Sequence, residues 1–257
     1  AHKVATAYTA IPRFLRTGVI EPVVRRLPVS TKNMSFDYKA KRFVRAANLE
    51  TVERHHSWFG SFSLDEQQQL LTPGVLAGSD GDIYRGPREM LGLCDASDEI
   101  EQMQYLDVNY YMAEDILTKV DRAAMAVSLE TRAPFLDPRV AQFAAALPLE
   151  HKLQGKNGKY ILKRAVEGIL PAEILARPKK GFGIPVAEWL KGRLNPLMHD
   201  LLAGDRLKLQ GLFEAEYVGR LIREHETGRA SHHKQLWTLL VFQLWYDKFL
   251  DPPSRAV

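Results

Sequence analysis

Apolar residues in this chain recur mostly at three- and four-residue spacing, the period of an amphipathic helix, and nowhere alternate for more than a few positions. The spacing predicts helices over 34–47, 51–59 and 63–71. The third opens with Ser63-Leu64-Asp65-Glu66, in which the serine and the glutamate would satisfy backbone N–H groups reciprocally. From Ser97 the periodicity strengthens, with Ile100, Met103, Leu106 and Tyr110 as one predicted buried stripe and Ile116, Val120, Ala124 and Val127 as the next. Further helices are predicted over 137–147, 159–169, 171–176, 185–191, 195–203, 214–226 and 232–249. The last is apolar on nearly every face, which a helix tolerates when buried among others, so it is predicted as a central core element whose removal abolishes folding. Residues 1–30 read as short helices broken at Pro12, Gly18, Pro22 and Pro28, and 72–87, with four glycines, as a loop. The predicted fold class is mostly α.

Composition narrows the function classes. The 257 residues suffice for one large domain or two small ones. Their 35 basic and 31 acidic side chains leave a charge of +4 without a clustered basic stripe, so no nucleic-acid partner is expected. The single cysteine, Cys94, excludes an internal disulfide or a cysteine metal cluster and favours a reducing, cytoplasmic setting. No apolar run approaches the roughly 18 residues that a membrane span needs, so no membrane partner is expected. The chain does not start with methionine and reads as a piece of a longer polypeptide. Gly78-Ser79-Asp80-Gly81-Asp82 resembles half a calcium loop but lacks the acceptor spacing and the closing glutamate, and it reads as a turn. His232 and His233 have no ligand partner at metal spacing and read as helix-end residues, so no metal site is predicted.

Three segments concentrate charge and glycine beyond the needs of a helical core. On a helix, Asp115, Lys119 and Arg122 share a face, either as a solvated pair or as one wall of a site, while Asp121 points elsewhere. Glu130 and Arg132 follow on a connector and read as a partly buried pair that fixes a loop or holds a substrate. Asp137 before Pro138 is a helix N-cap. In GKNGKYILKR, 155–164, Gly155 and Gly158 permit a tight turn and Lys159 falls in the first helical turn. A cation there opposes the positive end of the helix dipole, which suggests that a ligand supplies negative charge. RPKKGFGIP, 177–185, repeats the theme with Lys179, Lys180 and Gly181, as a phosphate-binding loop or a plain turn.

KVDRAAMAVSLETRAPFLDPRV and the stretch LPLEHKLQGKNGKYILKRAVEGILPAEILARPKKGFGIPVAEWL resemble the asparagine synthase family, the glutamine-hydrolysing type, with little gap over about 112–192. The resemblance implies that residues 1–257 are the helical C-terminal portion of an α/β ATP-pyrophosphatase-type (adenine nucleotide alpha hydrolase-like) synthetase domain. That domain adenylates the aspartate side-chain carboxylate with Mg-ATP, releases pyrophosphate, and lets ammonia drawn from glutamine displace AMP. Lys159 matches the family's lysine on the transferring phosphates. Asp121, Arg122, Glu130 and Arg132 match the charged motif bordering the substrate side, and Lys180 and Gly181 the loop beyond it. The family's Ser-Gly-Gly-x-Asp-Ser phosphate loop and Gly-Asp-Gly-Gly-Asp-Glu stretch do not occur in these 257 residues, nor does the N-terminal catalytic cysteine domain. ATP and Mg²⁺ are therefore expected to serve the full-length enzyme, with neither bound tightly by this portion. The alternatives are a related enzyme that amidates or cyclises another carboxylate to an amide or lactam, and a non-catalytic helical interaction module. Oligomerisation is left open.

Overall fold

A computed structural model describes residues 2–30, 35–155, 157–178 and 183–251 as a succession of helices. The sheet among the described residues is one hairpin of two-residue strands, Leu153–Gln154 and Asn157–Gly158. The chain divides into two compact units, residues 1–89 with 183–257, and residues 90–182.

The core of the first unit is built on the terminal helix, His233–Phe249. Its Leu236, Leu239 and Leu240 pack with Val218, Leu221 and Ile222 of the helix Ala215–Glu226, and with Leu190, Met198, Leu207 and Leu70. Each such side chain contributes roughly 1.5–3 kcal/mol on burial. The helix is central there, as its composition predicts, but only along one face. Val241, Leu244, Trp245 and Phe249 on its later turns are 46–60% exposed. Composition reports that a helix is apolar all round; which faces find neighbours is set by the other helices. Its most deeply buried polar residue, Gln243, exchanges amide hydrogen bonds with Gln210 at 2.8 and 2.9 Å, which removes the cost of burying an unsatisfied amide.

Local signals place several ends correctly. Ser63 Oγ accepts from the Glu66 amide and Glu66 Oε2 from the Ser63 amide, closing the predicted capping box on the helix Leu64–Leu70. The expected loop at 72–87 is a correction. Thr72 precedes a short helix, Pro73–Ala77, with proline in its first turn, and Arg85–Leu91 forms another helix. Near the N-terminus Pro12 separates helices, whereas Gly18 and Pro22 lie within a continuous helical run from Arg13 to Arg25. Pro22 is tolerated because it falls in the first turn of its α-helical segment, where its missing N–H leaves no gap.

The second unit begins with the helix Glu99–Leu106, capped by Asp98, whose side chain accepts from the Ile100 and Glu101 amides. Met103 and Leu106 are its large buried apolar side chains among the described residues. A π-helical stretch, Asp107–Leu117, follows and leads into the helix Thr118–Met125. The predicted stripe after 110 is not buried: Ile116, Val120 and Val127 are 38%, 46% and 74% exposed, and neither Asp107–Leu117 nor Thr118–Met125 has a buried residue on any face.

Candidate functional site

Lys159 stands at the junction of the hairpin and the helix Tyr160–Ala165. Gly155, at φ +61°, turns the hairpin, and the register pairs Leu153 with Gly158 and Gln154 with Asn157. Lys159 is the helix N-cap, in the left-handed region at φ 56°, ψ 37°, with no capping bond from its side chain. It thus sits one position outside the first turn expected of it, and the helix ends at Ala165, short of the expected 169. The left-handed region costs an L-residue about 1–2 kcal/mol, so the surrounding turn must hold it. One brace is visible: Lys163 Nζ donates to Asn157 Oδ1 at 2.8 Å across the turn. The Lys159 side chain is exposed and has no ionic or hydrogen-bonding partner among the described residues.

The charged segment before it is also surface-borne. Asp115 and Lys119 form an exposed i,i+4 pair at 3.1 Å. Asp121 and Arg122, on the next turns of Thr118–Met125, are exposed. That helix closes with the Ser128 amide donating to Met125 O and the Leu129 amide to Ala124 O, both at 3.0 Å. Ser128 takes the left-handed conformation that glycine usually supplies at this position, at φ 57°. This closure turns the chain outward at Glu130. Glu130 and Arg132 pair with each other, as expected, but are 70% and 84% exposed, which corrects the partly buried placement. The apolar residues flanking them, Leu129 and Phe135, are themselves 57% and 67% exposed and build no cover. Asp137 caps the helix Pro138–Ala146 through the Arg139 amide at 2.9 Å, as predicted, and also pairs with the Arg139 guanidinium at 3.0 Å. That side chain and that amide hold the Asp137 carboxyl below its ordinary range. The structure therefore brings Glu130 to Arg132, while Asp121, Arg122 and Lys159 have no ionic partner among the described residues. Lys180 and Gly181, with Lys179 and Phe182, lie outside the described residues.

A second polar concentration lies in the first unit, at the start of the terminal helix. A cleft of about 640 Å³ is lined there by Lys41, Arg42, Glu66, His232 and Gln235, among others. His232 Nε2 lies 2.7 Å from Glu224 Oε2, an acidic partner eight residues upstream that spacing alone did not flag. His225 is buried, with Nε2 facing Ala187 O at 3.1 Å while Nδ1 accepts from the His232 amide at 3.3 Å, which fixes a neutral tautomer. Its affinity for a proton is lowered, chiefly by burial. His233 lies 3.0 Å from Ser231 Oγ and packs on the Tyr38 ring at 5.1 Å between centroids. Burial, and after it the electrostatic influence of the neighbouring His225, Lys234, Arg42 and His232, pushes His233 down to about 4. Burial and Arg42 push Lys234 down to about 8.

The profile of the asparagine synthase family matches residues 7–247. The chain belongs to the asparagine synthase family. A Mycobacterium tuberculosis protein bearing the name glutamine-hydrolysing asparagine synthetase is 33% identical over 234 residues, covering 90% of this chain and 35% of that protein. Asparagine synthetase 1 of Bacillus subtilis is 36% identical over 149 residues, or 58% of this chain and 23% of the relative. The human asparagine synthetase is 42% identical over 159 residues, or 56% and 27%. No solved structure matches. This asparagine synthase chain thus spans about a third of the length of its mycobacterial relative. The charged segments 115–137 and 155–164 fall within the second unit, and 177–185 runs past its end. The cleft of the first unit escaped the sequence reading because its lining residues are drawn from positions as far apart as Glu21 and Gln235, with no local pattern.

Proposed function

We propose that this chain is the helical part of the synthetase domain of a glutamine-dependent asparagine synthetase. The observation that carries the reading is the family match over 7–247, with Lys159, an ammonium without a partner among the described residues, on a constrained turn inside it. In the proposed reaction an oxygen of the aspartate side-chain carboxylate attacks the α-phosphorus of ATP, the bond to the bridging oxygen breaks, and pyrophosphate leaves. Ammonia then attacks the acyl carbon, the bond to AMP breaks, and the nitrogen loses a proton to give the amide. Lys159 is assigned to the phosphate oxygens, where a fixed cation stabilises charge developing on the leaving pyrophosphate. Asp121, Arg122, Glu130 and Arg132, with Lys180 and Gly181, are assigned to the substrate side.

The phosphate-loop and acidic motifs of the family are not in this sequence, so the reading places most of the nucleotide contacts on a nucleotide-binding half and ammonia release on a glutaminase domain. Among the described residues no group of three or more acidic, histidine or cysteine side chains could hold a metal ion. Those residues do not fit a Mg²⁺ site. The 257 residues by themselves are expected to bind ATP weakly; a micromolar Kd by calorimetry contradicts that division of labour. In the assembled synthetase, Lys159→Ala is expected to slow pyrophosphate release about a hundred- to a thousandfold, the scale of one preorganised charge. Near-normal release refutes the role of Lys159.

A further inference from the structure

The least exposed ion pair among the described residues of 90–182 is one that no motif marks. Lys152 Nζ lies 2.9 Å from Glu101 Oε1 and 2.9 Å from the Ala145 carbonyl, with the two side chains 14% and 28% exposed. The pairs Lys119–Asp115 and Arg164–Glu167 are at least 48% exposed at every member. Exposed pairs of that kind contribute little, whereas an ammonium held at two acceptors away from water fixes the backbone that carries it.

What Lys152 carries is the hairpin. It ends the short helix Leu149–Lys152, and the strand Leu153–Gln154 begins at the next residue. Leu153 pairs with Gly158, so the strand that Lys152 leads into lies beside the strand that leads into Lys159. Its two acceptors belong to separate elements. Glu101 is in the first turn of Glu99–Leu106, the helix whose Met103 and Leu106 are buried, and Ala145 is in the last turn of Pro138–Ala146. One side chain therefore ties the foot of the hairpin to the buried part of the unit and to the helix that Asp137 starts.

We propose that Lys152 and Glu101 are positioning residues for Lys159, acting by anchoring the hairpin foot. The proposal rests on the assignment of Lys159 to the phosphates. In the synthetase assembled with its nucleotide-binding half, Lys152→Met is expected to lower kcat for pyrophosphate release roughly ten- to a hundredfold, the scale of a misplaced catalytic group, with the KM values for aspartate and ATP little changed. Lys152→Arg, which keeps charge and reach, should restore most of the rate. Adding Lys152→Met to Lys159→Ala should slow the enzyme no further, because a residue that works through Lys159 has nothing left to place. Full activity of Lys152→Met, or a loss that multiplies onto that of Lys159→Ala, overturns the proposal. A fully active Lys159→Ala would instead overturn the assignment of Lys159. Hydrogen exchange on the 257-residue chain then judges the anchor separately. Lys152→Met and Glu101→Gln should each speed exchange at 153–160 while leaving 215–250 unchanged, and an unchanged hairpin rejects the anchoring role.

Discussion

Lowering the pH from 7 to 5 charges His233 in the unfolded chain long before it charges the same residue in the fold. The folded imidazole is held down to about 4 by burial and by His225, Lys234, Arg42 and His232, against an ordinary value of 6.5. Between those limits the unfolded state binds more protons, so stability is highest above 6.5, falls as pH drops through the window, and levels off below 4. Evaluated at pH 5 relative to pH 7, the two titrations differ by about 2 kcal/mol, a ceiling because the ring is not wholly buried. His225 works in the same direction, since protonating its Nδ1 would set an N–H against the His232 amide that now donates to it. Only the upper part of the window is free of Glu66 and Glu226, whose carboxyls are held low and begin to lose their contribution as pH falls toward their ordinary value of 4.5. Urea titrations at half-unit intervals, followed by the fluorescence of Trp237 and Trp245, would read the slope on the terminal helix. His233→Gln should remove most of it while leaving stability at pH 7 nearly unchanged. An equal slope in that variant, or an NMR titration of the His233 ring near 6.5 in the folded chain, refutes the reasoning.

Lys234 gives the complementary test at alkaline pH. Its folded value of about 8 lies below the ordinary 10.5, so its desolvation penalty is full below 8 and gone above 10.5; Lys234→Met should stabilise the chain by about 1–3 kcal/mol at pH 7, less at pH 10, as read by thermal melts. Ser63→Ala removes the acceptor of the Glu66 amide and should destabilise the first unit by about 1 kcal/mol in the same urea assay, with Ser63→Thr close to the parent chain.

The features read correctly from sequence are those decided within a few residues. The capping box at Ser63 and Glu66, the Asp137 cap before Pro138, and the Gly155 turn each need nothing beyond their neighbours. The family motifs were equally legible, because they are stretches of sequence. What failed depends on neighbours. The stripe through Val120 and Val127 has helical spacing, yet no face of Asp107–Leu117 or Thr118–Met125 is buried, and periodicity cannot report whether another element covers a face. The terminal helix was recognisable as a helix, yet its exposed Trp245 and Phe249 reflect where other helices stop. Lys152 carried no signal at all. Its partner Glu101 is 51 residues away, and only the fold brings the two together.

The left-handed backbone at Lys159 has a bearing on how this turn could be moved elsewhere. Its φ and ψ of 56° and 37° are close to the mirror image of a right-handed helical residue, so its side chain does not extend the face of the helix that follows. A graft that copied the ten letters of 155–164 onto another helix would therefore carry the lysine without its direction. The portable unit is the sequence together with the handedness of one residue, and with whatever braces the recipient offers to keep an L-amino acid there.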